Sequence, residues 1–500
     1  MHFGMHSGKI LNMTKVKWNI VRGMMIAAVF IVLLAIRLGV FDDSPKQSVR
    51  DLTAPATRPA ETWMNIYQDR QKIGFVHRRF RQFENGYYQS EETVSMRIKT
   101  MGISQALHMT TETDLKPDRT LSAFRFELNS GLFRFTAQGF AGKDSIIIYS
   151  GLPHARTKTV LPVKDIPHLS GNIYEAAFHE GMAVNHSRRL SIFDPSTLSA
   201  RKITVERSPD EVIALMGRQT PARKFCADFM GAQHCAWLSE EGEILKETGL
   251  FGLSMEKVSP EKAKEGMATD PAADWVQIAS VSSNVVIDSP SRLTRITLRV
   301  EGIGPVILER GRQTFRQNIL TVTREDVLNT ADAKGVSDED KHKFLSPSPL
   351  VQSDHPEIIA QAGHIVSPSD SPHDATQKIV AWVYKNIAKK PVLSIPSALE
   401  VLRHKEGDCN EHAVLTAALL RAAGIPAQIE TGLVYLDGRF YYHAWNRAFT
   451  NGWVTADSVF NQMPADVTHI RLAAGEGGGE LDLLGVMGKI KLEVLTTSYD

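Results

Sequence analysis

From residue 63 to about residue 258, apolar and polar side chains alternate in short runs such as 72–83, 93–99, 123–128 and 145–149, broken by turn residues. Period-two alternation is the signature of half-buried antiparallel strands. Only two short stretches there, 173–178 and 209–216, read as helix, so residues 62–258 are expected to form one large β-rich domain. Five hundred residues exceed what a single core holds, which stops growing near about 250–300 residues. With 43% hydrophobic and 23% charged residues the chain is globular in composition, which excludes a collagen, a multi-span membrane protein and a mostly disordered chain. Lys+Arg at 57 against Asp+Glu at 56 leaves no field to draw in nucleic acid, and none is expected as a partner.

The amino terminus is different. Residues 1–23 carry Lys9, Lys15, Lys17 and Arg22 and no acid, and residues 23–36 are uncharged. That uncharged run is short for a membrane span. Arg37 can snorkel, however, and residues 18–41 together are long enough. No small-residue cleavage site follows. Residues 1–41 are therefore read as a cytoplasmic tail and uncleaved signal anchor, with a cleaved signal as the competing reading. The positive-inside rule puts the rest of the chain on the extracytoplasmic, periplasmic side. Residues 42–61, polar and proline-rich, read as a tether.

Three cysteines exclude a disulfide scaffold and a four-cysteine zinc site. Cys226 and Cys235 flank a hairpin tip at Met230-Gly231, and an even-length loop would set them opposite one another. A cross-strand disulfide and two small buried side chains that never meet are both open. Residues 259–274 read as a second linker and 275–330 as a small β module of three or four strands. Residues 345–470 form the next unit and 471–500 a tail or returning strand. The whole is an α+β protein.

Chemistry concentrates in the third unit. Helices are expected from residue 371, with Ser371-Pro372 as N-cap and first turn, and Ser397 to Glu400 reads as a capping box. Cys409 begins a helix that ends at Gly424-Ile425-Pro426. A helix N-terminus favours a thiolate, which is the nucleophilic form, and its free N–H groups can hold an oxyanion. Downstream, residues 427–435, 439–449 and 453–457 read as a three-strand meander with turns at Asp437-Gly438 and Asn451-Gly452. His443 sits in the middle strand and Asp457 in the last. A nucleophile, a base and a carboxylate that orients the base are thus available in that order.

Strand parity makes this testable. A strict two-residue loop at Asn451-Gly452 would set His443 opposite residue 460 and put Asp457 on the other face. A three-residue loop, 450–452, sets His443 opposite residue 459. Asp457 is then one diagonal step away on the same face, within hydrogen-bond reach. A Cys409–His443–Asp457 triad therefore requires an odd-length or bulged turn.

At these residues the chain resembles the transglutaminase-like superfamily of papain-like thiol enzymes. The matching blocks are Gly407-Asp408-Cys409-Asn410-Glu411-His412-Ala413, Leu420-Arg421-Ala422-Ala423-Gly424-Ile425-Pro426-Ala427, Tyr442-His443-Ala444-Trp445, and Gly452-Trp453-Val454 leading to Asp457. Ser458-Val459 departs from the Pro-Thr that often follows the aspartate. The resemblance implies Cys409 as nucleophile, His443 as base and Asp457 as orienter. His412 reads as a local hydrogen-bonding group, and Trp445 and Trp453 as core or as a shield over the His–Asp pair. Trp382 is a candidate oxyanion donor. No cofactor or metal is expected.

The leading expectation is a membrane-anchored extracytoplasmic thiol enzyme acting on peptide or side-chain amides through a thioester on Cys409, more a peptidase or amidase than an amine-acceptor transglutaminase. Its substrate would be a peptide or protein, of the cell envelope if the tether reading holds. The alternatives are a non-catalytic envelope-binding scaffold with a relic papain-like domain, and a lipid carrier built on an apolar cavity in the β domain.

Overall fold

The computed structural model describes residues 60–500 except 101, 131–132, 152–155, 230–231, 250–251, 268–270, 272, 279, 303–307, 326–336, 391–394, 396 and 476–488. The expected anchor and most of the tether lie outside the described residues. Among the described residues no helix is long and apolar enough to cross a membrane.

The alternating region forms one large, almost wholly antiparallel sheet. Its first strand, Ala60–Gln68, is central, paired on one side with Gln71–Gln82 and on the other with the last strand, Ser254–Val258. Hairpins run outward from both sides. The sheet curls around one core, because Phe124 and Phe193, far apart in strand order, bring their rings within 4.8 Å. Alternation is clean where one face is wet: Ser145–Ser150 buries Ile146 and Ile148 and leaves their neighbours partly exposed. The helix Ile173–His179 adds Ile173, Tyr174 and Ala177 to the same core.

The expected helix at 209–216 is instead a strand, Glu211–Leu215, in a hairpin with Arg218–Phe229. Met216 and Gly217 both have positive φ, the backbone of a two-residue hairpin turn whose twist matches the strands. Cys226 lies opposite Cys235 in the next hairpin and is bonded to it. Cys409 is the remaining, free cysteine.

Helices begin earlier than expected, with Asp338–Leu345 and Pro356–Ile365 preceding Pro372–Asn386. Strand nevertheless predominates over helix, so the chain is more β-rich than a balanced α+β protein. Ser371 caps its helix, accepting from the Asp374 amide. Ser397 does not close a capping box: its hydroxyl pairs with Gln352 instead.

The helix Cys409–Ala422 is almost entirely buried, packed by Leu415, Ala418 and Leu419 among Ile379, Val383 and Ile358. It rests on a small sheet in which Arg439–Phe449 pairs along its length with Ala427–Leu436 and at its far end with Trp453–Ala456. One face of this sheet packs Ala427, Ile429, Ala444 and Ala448 against the helices. Further along the same strands Leu433, Tyr435 and Phe440 pack on a second sheet, Gln313–Arg316, Ile319–Thr323, Leu293–Glu301 and Lys491–Tyr499. The returning strand at the carboxy terminus thus closes the small β module. Leu350 and Ile395, from segments flanking the helices, lie in the core of the large sheet.

Candidate active site

Cys409 is the first residue of its helix because Asp408 caps it. The Asp408 carboxylate accepts from the Asn410 amide, and Glu411 reaches back to the Asp408 amide at 2.9 Å. This reciprocal cap fixes the thiol's position but places two acids beside it. Burial pushes the Cys409 thiol well above its ordinary value, and Asp408 adds to the rise; the Ala444 backbone amide acts in the opposite sense. Burial and the carboxylates of Asp408 and Glu411 thus act toward the thiol, against the partial positive charge of the helix end.

The turn after Arg439–Phe449 has the odd length that the parity argument demands. Phe449 pairs with Trp453 and Asn446 with Ala456, which leaves the three residues 450–452 as the loop. His443 and Asp457 share a face, and His443 Nε2 lies 2.6 Å from Asp457 Oδ2 with both side chains buried. Asp457 is saturated with donors. Its Oδ1 accepts the Val459 and Phe460 amides at 2.6 and 3.2 Å. Its Oδ2 faces a second imidazole, His469 Nε2, at 2.9 Å. Burial pushes the Asp457 carboxyl up, but His443 and His469 outweigh it and hold the group well below the usual carboxylate range.

His469 is the residue that motif reading missed. It is fully buried, precedes the strand Ile470–Ala474, and is held from behind by Asp466, whose backbone carbonyl and Oδ1 lie 3.2 and 3.3 Å from its Nδ1. Burial lowers its proton affinity, but the bonds to Asp457 and Asp466 prevail and raise its pKa to about 9. A carboxylate between two imidazoles follows. The only signal in the sequence was Asp466-Val467-Thr468-His469, an acid three residues before a histidine, which is too common to single out.

The remaining expected residues are distributed as follows. His412 is buried with Nδ1 2.7 Å from the Asp408 carbonyl, a local hydrogen bond within its own helix. Trp445 stacks near His443, with centroids 6.1 Å apart, and its indole N–H donates to Glu430. Phe460 covers the imidazole at 5.2 Å. Trp453 is not part of this shield: it packs on Phe344, Phe449 and the Arg447 guanidinium. Trp382 borders the helical core together with Cys409. Ser458, the departure from the family pattern, receives a hydrogen bond from Thr416 on the Cys409 helix at 2.9 Å, tying the Asp457 turn to that helix.

His443, Asp457 and His469 put their ligand atoms within 4.8 Å of one another, a set that could also receive a metal ion. The direct contacts of both imidazoles to one carboxylate oxygen satisfy these groups without one.

Several known proteins are similar to parts of this chain. An uncharacterized protein of Mycobacterium leprae, ML0607, is 25% identical over 142 residues, 26% of this chain and 49% of its own length. The chain thus spans about half the length of that relative. Among solved structures, a provisionally assigned cysteine protease from Cytophaga hutchinsonii is 17% identical, with 42% of this chain and 86% of that chain covered and a TM-score of 0.26. A β-barrel-like protein of a domain of unknown function from Brucella abortus is 14% identical, with 40% and 96% covered and a TM-score of 0.32. The sequence pattern of the transglutaminase-like superfamily matches residues 359–458, which include all four blocks singled out above. The C-terminal part of this chain, residues 359–458, is a transglutaminase-like domain.

Proposed function

We propose that the chain is a membrane-tethered, extracytoplasmic thiol enzyme that cleaves peptide or side-chain amide bonds, with Cys409 as nucleophile, His443 as general base and Asp457 as orienter. The observation that carries this reading is the buried 2.6 Å contact between His443 and Asp457, on a strand whose next residue, Ala444, lies against the Cys409 thiol.

His443 uses Nε2 for Asp457, so Nδ1 is the ring nitrogen left to serve the thiol. The Cys409 proton passes to His443 as sulfur attacks the amide carbonyl carbon. The carbonyl electron pair moves to oxygen, and the oxyanion is held by the backbone N–H of Cys409 itself, the amide of the helix start that the Asp408 cap does not take. Collapse re-forms the C=O, the C–N bond breaks, and the departing nitrogen takes the proton from His443. A thioester remains. Water then attacks the thioester, gives its proton to His443, and the C–S bond breaks to release the acid and the thiol. The same triad would serve an amine acceptor; which acceptor reaches the thioester decides the outcome.

The test is the rate at which a peptidyl acyloxymethyl ketone labels Cys409, the one cysteine not held in a disulfide. His443→Ala is expected to slow labelling on the order of a hundredfold or more, the usual range for losing a general base, with unchanged circular dichroism. Equal rates in wild type and His443→Ala would end the proposal.

A further inference from the structure

The large sheet encloses a second candidate site, whose lining does not include Cys409. A cavity of about 770 Å³ opens inside it, lined on its apolar side by Val94, Met109, Phe126 and Leu169. Its polar side is unusual in what it leaves unpaired. Glu175 Oε2, Asn172 Oδ1 and the hydroxyl of Thr113 are buried without a hydrogen-bond partner, and all three residues line this cavity. Thr113 is only 1% exposed. Buried polar groups are normally satisfied, so several orphans around one cavity call for a ligand that supplies what is missing.

The charges indicate which ligand. The charges of the cations on the wall are already met by acids or rings, although Arg79 Nε makes no hydrogen bond among the described residues. Arg78 bonds Glu92 at 2.5 Å and Glu247 at 2.9 Å. Lys257 bonds Glu243 at 2.5 Å and Arg79 pairs with Glu91 at 3.4 Å. Arg119 stacks over Tyr88, 4.5 Å from the ring centroid. Among the described residues Glu175 has no such ion pair. The open valences are thus three oxygens, of a carboxylate, an amide and a hydroxyl, and a single donor, Nε of Arg79, whose guanidinium charge is already paired with Glu91, next to an apolar wall. An anionic head group would meet the Glu175 carboxylate and be repelled; a cation bearing N–H donors would be held by it.

We propose that this cavity binds an organic ammonium, an amine carried on an apolar body, with Glu175 as its anchor and Asn172 and Thr113 as further partners. This binding has a pH signature. Burial pushes the Glu175 carboxyl up to about 7 despite Arg78, with Glu247 and Glu92 adding to the rise. Arg119 also faces this group, and His179 lines the same cavity with its own proton affinity lowered by burial and by Arg119. An ammonium selects the ionised carboxylate, so binding releases a proton near neutrality and strengthens as pH rises.

Calorimetry on the full chain with octylammonium, 1-octanol and octanoate, which share a tail and differ in head group, tests this. Octylammonium is expected to bind one to one. Its affinity should be about tenfold higher at pH 8 than at pH 6, the change in ionised fraction of a group titrating near 7. Octanol and octanoate should bind at least tenfold more weakly. Glu175→Gln should lose the octylammonium preference and its pH dependence while Cys409 labelling is unchanged. Met109→Phe, which narrows the apolar wall without touching the charges, should weaken binding as well. Octanol or octanoate binding as tightly as octylammonium would overturn the proposal. So would unaltered octylammonium binding by Glu175→Gln, or no saturable octylammonium binding up to millimolar concentration.

Discussion

Replacing His469 by glutamine tests whether a buried cation stands behind the Asp457 carboxylate. His469 is raised from 6.5 to about 9 by its bonds to Asp457 and Asp466. Each tenfold change in proton affinity is worth ~1.4 kcal/mol, so protonation contributes about 3 kcal/mol to the folded domain. The folded value lies above the unfolded one. The contribution is therefore complete below pH 6.5, shrinks as pH rises, and is gone once pH passes about 9. Asp457 and Asp466 are shifted in the opposite direction and lose their contribution only in acid, so they leave this window undisturbed. Hydrogen exchange at amides 414–420, inside the buried Cys409 helix, reads the opening free energy of the domain. In the wild type it should fall by about 3 kcal/mol between pH 6.5 and pH 9. His469→Gln should lie about 3 kcal/mol lower at pH 6.5 and meet the wild type near pH 9, since glutamine does not titrate. Parallel curves would refute the protonated state and with it the picture of a carboxylate shared by two imidazoles.

Other consequences are as definite. Deleting Asn451 turns the three-residue loop into a two-residue one and moves Asp457 to the opposite face; labelling of Cys409 should slow on the order of a thousandfold, the scale seen when a triad orienter is lost. A Cβ on Gly432 would stand 1.9 Å from the Ile470 carbonyl oxygen, so Gly432→Ala must push the strand after His469 away. A cost of roughly 2–4 kcal/mol in domain opening is expected, and His469 should lose its shift in an imidazole titration. Removing the Cys226–Cys235 bond, which spans a sequence separation of 9, should cost about 2.5 kcal/mol of large-sheet stability with Cys409 labelling unchanged.

What could be read in the sequence and what could not divides along physical lines. Strands, turns and caps are local, and residues 427–457 were legible because Asp437-Gly438 and Asn451-Gly452 mark the turns while His443 and Asp457 obey the pleat. Residues 209–216 read as helix because eight residues carry too little periodicity to separate the two patterns, and the decisive feature is a turn with two positive φ angles. Ser397 has the right spacing for a capping box, but Gln352, 45 residues earlier in the chain, takes its hydroxyl. His469 and the rise in the Cys409 pKa depend on long-range burial, which no spacing reveals. The cavity around Glu175 is likewise made by strands and a helix distant in sequence.

Leu350 and Ile395 belong to the C-terminal part of the chain, among its helices, yet they are buried in the core of the large sheet. Pulling the two halves apart would bare both side chains, at roughly 1.5–3 kcal/mol each. That is enough to make separate opening of one half rarer by a factor of a hundred or more. A protease that waits for local opening would therefore meet the two halves as one body, and a gene fragment cut at the start of the helices would carry two apolar side chains with nowhere to go.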